Sequence, residues 1–72
     1  MPSKYPVLKP EEVLKGLGSF GFYQVSQKGS HVKLTNGSNV CIVPMHDEVA
    51  KGTLRSILIQ ADVSLEDFLA VL

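Results

Sequence analysis

Apolar and polar positions along the chain divide it into a helical segment, three strand-like segments and two further helical segments. Val13, Leu14 and Leu17 recur at the spacing of one helix face. Pro10 suits the first turn of a helix, where its missing amide hydrogen costs nothing. The pattern therefore predicts a first helix from residue 10 to about residue 19.

The middle of the chain is predicted to form three antiparallel strands joined by two tight turns. The strand segments are FYQVS, HVKLT and NVCIVP, which begin at residues 22, 31 and 39. The turn residues are QKGS in the first hairpin and Asn36 to Ser38 in the second. Pro44 is expected to end the third strand, because proline cannot donate a hydrogen bond to a neighbouring strand.

The pattern of apolar residues favours one of two possible registers for the second hairpin. A two-residue loop would mix polar and apolar residues on both faces of the sheet. A three-residue loop, Asn36 to Ser38, pairs Val32 with Ile42 and Leu34 with Val40, which makes one face apolar. We therefore predict the three-residue loop. The other strand residues would then share the opposite face, away from the core: His31, Lys33, Cys41 and Val43.

The last third of the chain is predicted to form two helices. An apolar stripe at positions i, i+3, i+4 and i+7 defines the longer helix, with Thr53 as its expected cap and Ile59 off the stripe. That stripe consists of Leu54, Ile57, Leu58 and Ala61. Ser64, with Asp67 three residues on, is typical of the start of a short final helix. Its residues expected to pack inward are Leu65, Phe68 and Leu69.

This order of elements predicts an α+β fold, a two-layer sandwich with helices on one face of a three-stranded sheet. Residues 1–9, with three prolines nearby, are expected to be an N-terminal tail, and residues 10–72 a single domain. The other face of the sheet would be left partly open.

Composition and charge limit the possible functions. Seven basic and seven acidic residues give a net charge of zero, so nucleic-acid binding would have to rest on a local basic patch. Cys41 is the single cysteine and allows no internal disulfide. The chain has no apolar run long enough to cross a bilayer and no signal-peptide pattern, so we expect a cytoplasmic protein that does not enter membranes.

Three motifs in order carry a resemblance to a known family. They are GFYQVSQKGSH, VPMH and KGTLRSILIQADVSLEDF. In these motifs the chain resembles the HicA toxins of bacterial toxin–antitoxin pairs, over about residues 10 to 68.

The resemblance implies a double-stranded-RNA-binding-domain-like fold, which agrees with the predicted elements. It also implies a ribonuclease that cleaves messenger RNA (mRNA) and is inhibited by a HicB antitoxin. The family's essential histidine corresponds to His31, and its Gly-Ser neighbours to Gly29 and Ser30. We expect the free chain to be monomeric.

His31 is suited to such a reaction, which needs no metal or other cofactor. The ribose 2′-hydroxyl attacks the adjacent phosphorus once a base removes its proton, and imidazole titrates near working pH. Lys28 and Lys33 flank His31 and, with the amides of Gly29 and Ser30, could bind the phosphate. Without the resemblance, the favoured interpretation of His31 is an exposed strand residue with no role, because a single histidine lacks the partners that define a mechanism.

A second set of candidate phosphate ligands lies at the start of the longer C-terminal helix. Lys51, Arg55 and the Thr53 hydroxyl could hold a phosphate together with the helix N-terminal amides. The alternative for these residues is ordinary solvated charge. Tyr23 could stack on a base, although a half-buried strand tyrosine is more common.

His46 is interpreted as a loop residue bonded to its own backbone or to Asp47, with a role as a second acid left open. A metal site built from His31, Cys41, His46 and Asp47 matches no recognised ligand spacing.

The sequence is compatible with three functions: a metal-independent endoribonuclease toxin, an RNA-binding module without catalysis, and a protein-interaction domain. The first two would use the same surface, formed by Lys28, Lys33 and Arg55. The third would use Ile59 and the open sheet face, where an antitoxin could dock.

Overall fold

The computed structural model describes residues 5–72, so the first four residues of the predicted tail lie outside the described part. The elements follow the order α1, Pro10–Gly18; β1, Tyr23–Lys28; β2, His31–Thr35; β3, Val40–Pro44; α2, Lys51–Ala61; and α3, Leu65–Ala70. The strands form one antiparallel sheet in the order β1-β2-β3. The predicted α+β architecture, similar to a double-stranded-RNA-binding domain, is confirmed.

Helix α1 begins where the proline and acidic residues predict. Pro10 occupies its first turn, and the Lys9 backbone N–H donates to Glu12 Oε1 at 2.9 Å. Val13 and Leu17 face the core with no exposed surface. Apolar residues at helical spacing thus attach α1 to the sheet.

The core lies between the helices and one face of the sheet. Strands β2 and β3 contribute every second residue to it, whereas all six residues of β1 are exposed. The stripe of α2 is buried as predicted, and Phe68 of α3 is fully enclosed. Before α1, Leu8 pairs with Val49 through hydrogen bonds in both directions.

The predicted register of the second hairpin is wrong by one residue. Val32 pairs with Val43 and Leu34 with Cys41, so the loop contains four residues, Asn36–Asn39. Asn36 Oδ1 accepts hydrogen bonds from the backbone N–H groups of Ser38 and Asn39 at 3.0 and 2.7 Å, which closes the longer loop.

The shift exchanges the two faces of β3. Cys41 and Val43 are fully buried, and Val40 and Ile42 are exposed. Every position of this strand up to Pro44 is apolar, so its own pattern favours neither face. His31 points away from the core in both registers, and that prediction is confirmed by its exposure.

Two helix details also differ from prediction. Helix α2 begins at Lys51 with Ala50 as its cap, so Thr53 lies inside the first turn and does not cap the helix. In α3, the Ser64 hydroxyl accepts from the Asp67 N–H as predicted, at 3.1 Å. Leu69, expected to point inward, is 37% exposed, because α3 is short and buries only one narrow stripe.

Candidate functional site

The turn between β1 and β2 places His31 at the start of its strand. Gly29 has a φ of +60°, and Ser30 does not have a positive φ. A positive φ at only the first central residue is the arrangement of a type II′ hairpin turn, where glycine is strongly preferred. The Gly-Ser pair therefore sets the local backbone that carries His31.

An irregularity in β1 brings a lysine next to His31. Gln24 pairs with Leu34 but Ser26 pairs with Lys33, so Val25 is an extra residue in a bulge. Beyond the bulge, Lys28 lies directly opposite His31. Without the extra residue Gln27 would occupy that place, because each pairing would shift by one.

The open face of the sheet forms a small basic surface. His31 and Lys33 alternate with buried Val32, so both project from this face together with Lys28. The three strands contain no acidic residue, and all seven carboxylates of the chain belong to helices or loops. The neutral chain therefore carries a local positive patch, as phosphate binding requires.

A second histidine lies beside this patch. His46 Nε2 is 3.2 Å from Ser30 Oγ, within hydrogen-bond distance. Its ring meets the His31 ring edge to face, with centroids 6.1 Å apart and planes at 71°. The partner of His46 is therefore Ser30, not the Asp47 or local backbone that the sequence favoured. Sixteen residues separate the two, and no local pattern indicates such a contact.

The loop that carries His46 is tied to the turn by the backbone as well. The Met45 N–H donates to the Ser30 carbonyl oxygen at 2.6 Å, just after β3 ends. On its other side, His46 lines a shallow groove with Met45, Lys9 and three carboxylates. Those carboxylates belong to Glu11, Asp47 and Glu48. The site is thus basic on the sheet and acidic beyond His46.

The remaining candidate phosphate ligands lie elsewhere. Lys51 and Arg55 are exposed on α2, which packs against the opposite, buried face of β3, and Thr53 is partly buried. Among residues 5–72, no hydrogen bond joins this group to the turn that holds His31. The structure brings together Lys28, Gly29, Ser30, His31 and Lys33, and leaves the α2 set as a separate surface.

Tyr23, the candidate for stacking on a base, and Ile59, the candidate for antitoxin docking, are both exposed. Tyr23 is 57% exposed at the start of β1 and is less buried than expected. Ile59 projects from α2 with 63% of its surface exposed, as its position off the stripe predicts.

Cys41 takes no part in the site. It lies on the buried face of β3, and burial raises the pKa of its thiol to about 11. Within residues 5–72, no three side chains of the histidine, cysteine and carboxylate types cluster in a way that could hold a metal ion. None of the three described helices is long and apolar enough to cross a membrane.

Comparison with known proteins gives one family. A family model described as the HicA toxin of bacterial toxin–antitoxin systems matches residues 10–63, from the start of α1 to just past α2. The match includes the turn, His31 and His46. No curated protein gave a match to the chain.

Proposed function

The chain belongs to the HicA toxin family of bacterial toxin–antitoxin systems, and on that premise we propose that it cleaves mRNA as a metal-independent endoribonuclease. The observation that carries this proposal is the position of His31. Its ring is exposed on the open sheet face, directly opposite Lys28 and two residues from Lys33. A proton-transfer group thus lies where an anionic backbone would be bound.

The proposed reaction begins with the RNA backbone on this face. Lys28 and Lys33 neutralise the phosphate, and His31 removes the proton of the neighbouring 2′-hydroxyl. The resulting oxygen attacks phosphorus and leaves a 2′,3′-cyclic phosphate and a 5′-hydroxyl end. A positioned acid–base group contributes about 10²–10⁴-fold, so the enzyme is expected to be slow.

The test is cleavage of an end-labelled single-stranded RNA by the purified protein in the presence of EDTA. The parent is expected to cut, and His31→Ala to lose at least about 10²-fold in rate. The control is Gln24→Ala. Gln24 is an exposed residue of β1 that pairs with Leu34 and not with His31 or Lys33, so this variant should retain the parent rate. Circular dichroism first establishes that each variant is folded.

Other outcomes point to the competing functions. If neither parent nor variant cuts but both bind RNA, the chain is an RNA-binding module. If neither binds RNA, a protein-interaction role is favoured. Equal cutting by parent and His31→Ala would remove His31 from the reaction.

We further propose that the partner protein is a HicB-like antitoxin that binds the open sheet face. Val40 and Ile42 are 47% and 37% exposed there, on the same face as His31, so a bound antitoxin would cover the ring. Ile42→Glu should weaken antitoxin binding in calorimetry, whereas the matched change Ile59→Glu on α2 should not. The reverse result would move the interface to α2.

The cytoplasm is the proposed location, because mRNA is found there. The α2 residues Lys51, Thr53 and Arg55 are proposed only as secondary RNA contacts, because they lie away from His31. A single domain over residues 10–72 and a monomeric free form stay predictions.

A further inference from the structure

Two imidazole rings meet at one turn, and the proposed reaction so far uses one of them. His46 reaches the site from the loop after β3, and its centroid lies 6.1 Å from that of His31. Cleavage of a phosphodiester needs two proton transfers, one from the attacking hydroxyl and one to the leaving oxygen. The second transfer has no group assigned to it.

We propose that His46 is the proton donor to the leaving 5′-oxygen, and that the two histidines act as a base–acid pair. This inference rests on the proposed ribonuclease function and names a second catalytic residue for it. An alkoxide is a poor leaving group, so a positioned acid is expected to accelerate bond cleavage by about 10²–10⁴-fold.

Contacts at the turn hold His46 in place for this role. The Ser30 hydroxyl binds Nε2 at 3.2 Å, and the Met45 N–H bonds to the Ser30 carbonyl oxygen. The ring and its loop are therefore both attached to the turn that precedes His31. Among residues 5–72, Nδ1 of His46 has no hydrogen-bond partner, so this nitrogen is available to a substrate.

The separation of the rings suits a shared phosphate. The attacking and leaving oxygens lie on opposite sides of one phosphorus, a few ångströms apart, so the base and the acid must flank a single phosphodiester. Rings much further apart would not both reach it within hydrogen-bond distance. The two ring planes meet at 71°, so the rings do not stack face to face and cover one another.

Position assigns the two roles. The donor must begin the reaction as a cationic imidazolium, and the base must begin it neutral. Lys28 and Lys33 flank His31, so this ring lies where the phosphate next to the attacking hydroxyl would be held. His46 reaches the turn from the loop after β3, and its groove is lined by Lys9 and three carboxylates. We therefore assign the acid role to His46, on the side of the phosphate away from the two strand lysines.

The proton and electron balance closes without any further reactant. Neutral His31 takes the proton of the 2′-hydroxyl as that oxygen bonds to phosphorus. The bond from phosphorus to the 5′-oxygen breaks, its electron pair stays on that oxygen, and the His46 imidazolium protonates it. His31 ends cationic and His46 neutral, and exchange with water restores both.

The experiment compares two RNA oligonucleotides that differ at one atom. The linkage cut by the parent is first mapped, and its bridging 5′-oxygen is then replaced by sulfur, which leaves without protonation. His46→Ala is expected to cut the oxygen substrate about 10²–10⁴-fold more slowly than the parent and the sulfur substrate at nearly the parent rate. His31→Ala should be slow on both.

Two variants separate proton donation from a structural role. Ser30→Ala removes the contact to His46 but keeps the imidazole, and His46→Gln keeps a polar side chain that cannot donate as an acid. His46→Gln should behave as His46→Ala on both substrates, and Ser30→Ala should lose less activity than either.

If His46→Ala lowers the cleavage rate equally on the oxygen and sulfur substrates, His46 is a positioning residue and the proposal is overturned. Recovery of His31→Ala on sulfur would also overturn it, because the roles would be exchanged. If the parent cuts neither substrate, the ribonuclease function fails as a whole. If the parent cuts and His46→Ala equals it on oxygen, only this inference fails.

Discussion

At the scale of single residues, the direction of a side chain from the sheet decides its chemistry. His31 and Cys41 lie on neighbouring strands, yet the imidazole is exposed and the thiol has no exposed surface. Solvent reaches the first and not the second. Any reaction at this sheet is thereby confined to its open face.

Burial of Cys41 predicts a slow reaction with thiol reagents. Only the thiolate attacks, and burial raises the pKa of this thiol to about 11. At pH 8 the folded protein should react with a disulfide reagent at least about tenfold more slowly than the urea-unfolded chain, because few molecules are ionised or accessible. Fast, complete labelling of the folded chain would show that the β3 register is incorrect.

The same burial predicts a loss of stability at high pH. The folded pKa of this thiol, about 11, lies above its ordinary value of 9.0. As pH rises, the unfolded chain releases this proton at a lower pH than the folded chain does. The thiol's contribution to the free energy of unfolding is therefore complete below pH 9 and falls as pH rises from about 9 to 11. Urea unfolding should show a shallower decline over this range for Cys41→Ala than for the parent. Identical declines would contradict the prediction.

At the scale of elements, close packing explains one of the glycines of α1. A Cβ on Gly16 would lie 2.6 Å from Cε1 of Phe68, whose ring is fully buried in the core. α1 and α3 therefore approach one another at a position that only glycine allows. A Cβ on Gly18 would meet nothing within 4 Å.

Alanine at these two positions should have opposite effects. Gly16→Ala must displace Phe68 and should lower the free energy of unfolding by about 1–3 kcal/mol. Gly18→Ala gains helix propensity without a clash and should be neutral or stabilising by up to about 1 kcal/mol. Urea denaturation of both variants checks the pair. Equal effects would mean that α3 does not pack on α1 as described.

At the scale of the whole molecule, a net charge of zero conceals an uneven distribution. The sheet carries Lys28 and Lys33 and no carboxylate, whereas the groove beside His46 carries three. Long-range attraction of RNA is expected to be weak, because the far field of the molecule is neutral. Under the proposed function, affinity for RNA must therefore come from contacts at the open face.

Salt dependence tests this distribution. For single strands, each phosphate contact contributes about −0.7 to the slope of log K against log salt concentration. Lys33→Ala should make the slope shallower by about that amount, whereas Lys15→Ala, an exposed change on α1, should leave it unchanged. Titration of a 2′-O-methyl RNA, which cannot be cleaved, gives both slopes. A shallower slope for Lys15→Ala alone would place the RNA on the helical layer.

Several features follow from the sequence alone, because they depend on residues close together in the chain. Helical spacing predicts α1 and the buried stripe of α2, and Ser64 with Asp67 predicts the start of α3. The alternation in HVKLT predicts that His31 faces away from the core, since its apolar neighbours occupy the other face.

Other features are decided by contacts between distant segments. β3 is apolar along its length, so only packing against the helices chooses Cys41 and Val43 for the core. The bulge at Val25 that aligns Lys28 with His31 has no local signal either. His46 joins the site through Ser30, sixteen residues away. The sequence alone thus determines the elements and the exposed histidine, whereas tertiary packing decides which side chains surround it, because those neighbours come from separate strands and a loop.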